Sequence, residues 1–317
     1  MISRALTVLT LSTLLAAPAL AQTQPDRAPT ETPRTPAPTP PPRQPGGHPG
    51  GRVVDLRPRF TVGQQVKLNM DMNRKSTATG PAAPDTKEQG DVDVSMTVVL
   101  KCTSADPEEG YSLQLSIESM RFSGEMQGEQ ITWDSKKQGK DEVLDAMFSS
   151  ILDVDIPVTM DKNGNISDVG GGVTGAMGGK LSGGDMFKGL FGPLTTRTSN
   201  TGEARVGDKW TNDDTMQAGL GTVKIRTDNT LKSAGQSMAT IATKGTFSLD
   251  PTSSSQGVRL REGKLEGETK WNTADHMIES MNMKQKVMLE KRDTKTGQMT
   301  TTTETMDVKV NRVRTGR

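Results

Sequence analysis

The feature that most limits what this chain can fold into is an alternation of apolar and polar side chains with a period of two. Val92, Val94, Met96, Val98 and Leu100 follow it, as do Val66, Leu68, Met70 and Met72, and Tyr111, Leu113, Leu115 and Ile117 after the turn DPEEG. Successive side chains of a strand point to opposite faces, so such a run buries one face and wets the other. The habit returns in TVKIRTDNTLKSA, SMATIATKGTFSL, GVRLREGKLEGETKW, HMIESMNMKQKVMLEKR and TTTETMDVKVNRVR, joined by short polar turns such as DPTSSSQ and DTKTGQ. Long strands on short turns twist and coil. The expected fold class is therefore all-β with minor α: a long-stranded antiparallel curved sheet or half-barrel, with a short helical, Gly-rich insertion acting as a lid.

Composition divides the chain. Residues 1–21 carry Arg4, an apolar run from Ala5 to Leu15 and the triplet Ala19-Leu20-Ala21, the layout of a cleaved secretory signal peptide. An exported protein, periplasmic or extracellular, is expected, and no transmembrane segment follows. Residues 22–52 are dense in Pro, Thr, Arg, Gln and Gly, with almost nothing to bury, and read as a disordered linker or tether; His48 lies within it. Residues 53–317 read as one β-rich domain of two similar halves, 53–140 and 204–317, around an insertion at 141–192. FTVGQQVKLNM near Phe60 and ARVGDKWTNDDTM near Ala204 form a faint echo between the halves, each placing Val-Gly and two polar residues ahead of a long strand series.

Several kinds of chemistry are disfavoured. The 39 basic and 38 acidic residues leave no global field for nucleic acid or an anionic surface. Cys102 is the single cysteine, so no intramolecular disulfide can form, and a buried thiol is expected at its strand position. Two histidines cannot build a zinc cluster. His276, beside Asp275, has no nucleophile placed by a motif, so a partly exposed strand or turn histidine is expected. GGGVTGAMGGKLSGG lacks the Lys-Ser/Thr of a phosphate cradle, Leu181 following Lys180. Neither cofactor nor metal is expected.

The stretch DKNGNISD sets oxygen-bearing side chains at short spacing. Asp161, Asn163 and Asn165 fit the first three ligand positions of a calcium loop, but Gly164 falls at the fourth place and Gly172 at the closing twelfth. Val154, Ile156, Val158 and Met160 alternate into Asn163-Gly164, which marks a β-hairpin. A hairpin is therefore expected, with a weak surface cation at Asp161, Asn163, Asn165 and Asp168 as the alternative.

Between the halves the period changes. DEVLDAMFSSILDV has helical spacing, and GGGVTGAMGGKLSGGDMFKGLFGPL spreads apolar residues among glycines. Met147, Phe148, Ile151, Met177, Leu181, Met186, Phe187, Leu190 and Phe191 are the expected lid and lining of an apolar ligand site. Its material is unusual: 18 methionines against 3% aromatic residues, and unbranched Met adapts to irregular apolar shapes.

VGDKWT (Val206 to Thr211), the strand-turn-strand VDIPVTMDKNGNISDV, the signal peptide and the Pro-rich spacer resemble a group of uncharacterised secreted β-rich bacterial envelope proteins. More distantly, long curved strands with apolar helices inserted midway resemble the half-barrel-and-lid carriers of lipoproteins or lipids in the bacterial periplasm. That resemblance implies a non-enzymatic apolar pocket beneath a lid. The expected function is an exported, non-enzymatic envelope protein binding an apolar, lipid-like molecule. The alternatives are a structural or protein-interaction module displayed on the Pro-rich tether, with an envelope protein as partner, and a carboxylate hydrolase.

Overall fold

The computed structural model describes residues 52–81, 91–126, 129–137, 144–145, 148, 152, 154–169, 202–218, 221–250, 258–292 and 296–314. Its strands are β1 (Val53–Asp55), β2 (Gln65–Thr79), β3 (Val92–Asp106), β4 (Gly110–Met126), β5 (Glu129–Asp134), β6 (Ile156–Met160), β7 (Ile166–Val169), β8 (Glu203–Arg205), β9 (Lys209–Ala218), β10 (Gly221–Ala234), β11 (Met238–Leu249), β12 (Val258–Asn272), β13 (Met277–Arg292) and β14 (Met299–Val313). The all-β expectation holds, and the long strands coincide with the alternating runs.

One 12-stranded sheet runs β7-β6-β4-β3-β2-β14-β13-β12-β11-β10-β9, with β5 also paired to β4. It is antiparallel and curved and does not close into a barrel. The two meanders meet where β14 pairs with β2, with Val308 opposite Met72 and Val310 opposite Met70. A fully buried Leu or Met of this kind contributes roughly 1.5–3 kcal/mol, and Leu68, Met70, Leu115, Leu231, Ile241, Met281 and Val310 are all at most 2% exposed. Bulges at Thr97/Val98 and Cys102/Ser104 shift the inward phase of β4 relative to β3. Each adds a residue to one strand and bends it. In β12, Gly267 leaves room for Met283, whose sulfur occupies the place a Cβ would take, and Gly263 does the same for Phe247.

The β1–β8 pair stands apart from the large sheet. Residues 52–61 cross one end of the inner face as a strap, because Val54 and Leu56 bury their side chains in the same core cluster as both meanders. The strap is tied to both halves: the Tyr111 hydroxyl donates to the Pro58 carbonyl (3.0 Å), the Arg59 N–H to the His276 carbonyl (3.3 Å), and the Leu56 N–H to the Gly202 carbonyl (2.8 Å).

The echo between the halves is a repeated turn. Gly63 and Gly207 both have positive φ, 84° and 94°, a conformation that favours glycine. The Gly63 N–H donates to the Cys102 carbonyl and the Cys102 N–H to the Gln64 carbonyl; in the second copy Gly207 donates to Leu231 and Leu231 to Asp208. The side chains of Gln64 and Asp208 accept from the N–H groups of Thr61 and Arg205, at 2.8 and 2.7 Å.

Candidate ligand-binding face

The strand register sorts the inner face into rows that cross the sheet. Near the strap, Met70, Val310, Met281, Thr269, Ile241 and Leu231 lie in one row. All of them are at most 4% exposed. Here the strap fills the inner side, and the interior is solid. Farther along the strands, Met306, Leu260, Phe247, Leu249 and Ile225 sit in the inward phase yet are only half-buried. The buried residues Ala78, Val223, Val287 and Leu289 belong to this far end and lie outside the main core cluster. Beyond the strap the inner face is thus mixed: Ala78, Val223, Val287 and Leu289 are buried, Phe247 and Met306 are half-buried against the main core cluster, and Ile225, Leu249 and Leu260 are half-buried away from it.

Charge enters the far half at Asp214 of β9, half-buried and directly opposite Ile225, and at the pair Arg74 and Glu304. The Arg74 Nη2 donates to Glu304 Oε1 at 2.6 Å, with side-chain exposures of 19% and 6%. Both residues occupy the inward phase, Ser76 lying directly opposite Glu304 and Met306 opposite Arg74. Glu304 Oε2 is buried and has no hydrogen-bond partner among the described residues. By contrast, the inward polar pair Asn229 and Thr243 is self-satisfied, the Thr243 hydroxyl donating to Asn229 Oδ1 at 2.7 Å.

A family of unknown function (DUF6263) matches the chain over residues 108–177. No curated protein matches it at a significant level. A solved structure described as "lipid-protein interactions in lipovitellin" is similar over 82% of this chain and 26% of that one, with 10% identity and a TM-score of 0.48. This chain therefore spans about a quarter of the lipovitellin chain. DynF from the dynemicin biosynthesis pathway of Micromonospora chersina is similar over 87% of this chain and 92% of its own, with 11% identity and a TM-score of 0.22.

Of the residues expected to form lid and lining, Phe148 is the one described, while Met147, Ile151, Met177, Leu181, Met186, Phe187, Leu190 and Phe191 lie outside the described residues. Phe148 is 4% exposed in helical backbone shared with Leu144 and Asp145. It packs on Trp133 and Phe122 with ring centroids 4.8 and 5.6 Å away, and the Trp133 Nε1 donates to Asp145 at 2.6 Å. This places Phe148 in the core beside β4 and β5.

The DKNGNISD stretch is a hairpin turn between β6 and β7. Asp161 Oδ1 accepts from the N–H groups of Asn163 (2.9 Å) and Asn165 (2.8 Å), and Oδ2 from the Asn165 amide (2.7 Å). The carboxylate is thus committed to shaping the turn, and Gly164 supplies the positive φ of 88°. Cys102 is buried, as its strand position implied, and burial pushes its thiol pKa up. His276 sits in the turn between β12 and β13 with φ 53°. Burial first, then the charge of Arg59, lowers its pKa, and its Nδ1 is 4.0 Å from Asp55 Oδ2. No group of three or more His, Cys, Asp or Glu poised for a metal occurs among the described residues.

Proposed function

We propose that this chain is an exported, non-enzymatic cell-envelope protein that binds an apolar, lipid-like molecule on the far half of the inner face. The observation that carries the reading is the contrast between the two halves of that face. Met306, Leu260, Phe247, Leu249 and Ile225 remain half-buried, while the row from Met70 to Leu231 near the strap is at most 4% exposed. Apolar surface left open in the concave part of a fold gains about 25 cal/mol per Å² when a ligand covers it. The export reading is supported by the signal-like first 21 residues.

Three titratable groups singled out by their sequence position or their shifted pKa have structural roles. Asp55 is held by Arg57 and Arg59, and Asp161 is held by its own turn. The His276 ring lies under the strap, away from the open half.

Native mass spectrometry of protein purified without detergent tests the proposal. The expected result is a population carrying an added lipid-sized mass that organic extraction removes. A chain that runs only at its bare mass, or with a stoichiometric protein partner, would overturn it.

A further inference from the structure

We infer that Arg74 and Glu304 form the head-group subsite of this face, and that the head group is uncharged and carries a hydroxyl donor beside an ester or amide acceptor. The inference rests on the reading of the far half as an apolar binding face, and adds to it a ligand class and two named contacts.

The pair is out of place for a purely structural element. Its inward-facing neighbours are the apolar Met72, Ala78, Val287 and Met306, with the small buried hydroxyl of Ser76 opposite Glu304. Replacing a buried ion pair of this kind with apolar residues is often neutral or stabilising, so stability alone does not account for it. The pair is also incomplete. A carboxylate has room for about four hydrogen bonds, yet among the described residues Glu304 accepts one from Arg74 on Oε1 and none on the buried Oε2. Buried polar atoms are nearly always satisfied, and no described residue supplies the donor, a place that a bound molecule would fill. Arg74, the more exposed of the two at 19%, has further N–H groups for an acceptor.

The chemistry of the missing partner follows from the two charges. A lone carboxylate or phosphate head would suit Arg74 but confront Glu304 Oε2 with a like charge. A lone ammonium would reverse the conflict. An uncharged head bearing a hydroxyl and a carbonyl satisfies both groups at once: the hydroxyl donates to Glu304 Oε2, and the carbonyl accepts from the guanidinium. A monoacylglycerol has this arrangement, with its acyl chain free to lie along the half-buried apolar side chains.

The test is competition for N-phenyl-1-naphthylamine bound to the full chain, read by fluorescence. Monolauroylglycerol is compared with methyl laurate, which has the same chain and ester but no hydroxyl, and with laurate. The inference predicts that monolauroylglycerol competes on the order of tenfold better than either, as one or two well-made hydrogen bonds allow. In Arg74→Met/Glu304→Met the preference collapses to near unity while the fluorescent probe still binds. Glu304→Gln, which keeps the shape, loses most of the preference as well. Equal competition by all three lipids in the parent protein, or a preference unchanged in both variants, overturns the head-group assignment and leaves the apolar face standing. A parent protein that binds neither probe nor lipid overturns both.

Discussion

At the strap, burial opposes ionisation of Asp55, but hydrogen bonds from the Arg57 side chain and backbone and from Arg59 outweigh it, holding its pKa at about 2. A carboxylate with a depressed folded-state pKa stabilises the fold fully above its unfolded value near 4, and that stability drains away as pH falls towards 2. Asp55→Asn is expected to lose on the order of 1–2 kcal/mol at pH 7, the deficit shrinking towards pH 2 in urea melts at stepped pH. His276 acts in the same direction. Its lowered pKa means it must stay neutral in the fold, so its contribution is present above its ordinary value near 6.5 and declines as acid charges the ring. Glu304 gives a different signature. Glu304→Ala strands Arg74 and is expected to cost about 2–3 kcal/mol, whereas Arg74→Met/Glu304→Met stays within about 1 kcal/mol of the parent in the same melts. The signal for this pair was present in the chain. Arg74 continues the inward phase of Val66, Leu68, Met70 and Met72, and Glu304 that of Val308 and Val310, so each is a charge on an apolar parity. Their meeting was not legible, because 230 residues separate them and parity names a face without naming a partner.

The two Val-Gly turns are the clearest link from local sequence to element. Gly63 and Gly207 have positive φ, and nothing lies within 4 Å of where a Cβ would stand, so substitution strains only the backbone. Gly63→Ala and Gly207→Ala are each expected to cost about 1 kcal/mol, and by similar amounts. Gly110, also at positive φ, has the Met160 carbonyl oxygen and Asp161 backbone where its Cβ would go. Gly110→Ala is expected to cost distinctly more, about 2–3 kcal/mol, because strain and overlap combine; thermal melts of the three variants rank them. The hairpin at Asp161 was legible for a related reason, since Asn163-Gly164 and the alternation on its N-terminal side encode the turn in adjacent residues. The bulges at Thr97/Val98 and Lys270/Trp271 were not. A bulge shows in sequence only as a slip of phase, and β-branched and polar residues tolerate either side of it.

On the scale of the molecule, the alternating runs foretold long strands and a curved open sheet. They did not foretell that β14 would close onto β2, or that residues 52–61 would leave the sheet to fill one half of its inner face. Strand parity constrains faces, while partner choice depends on packing over long range. The strap is what makes the inner face unequal. Val54 and Leu56 complete the core on one side, and the methionine-rich, aromatic-poor composition leaves adaptable side chains such as Met306 on the other. The binding face therefore lies at the end of the sheet away from the strap. A diazirine-bearing acylglycerol, photolysed on the full chain and mapped by peptide mass spectrometry, tests that placement most directly. Adducts concentrated on peptides carrying Ile225, Phe247, Leu249, Leu260 and Met306 are expected. Adducts spread over the outward-facing side chains, or confined to the strap end around Val54 and Leu56, would contradict it.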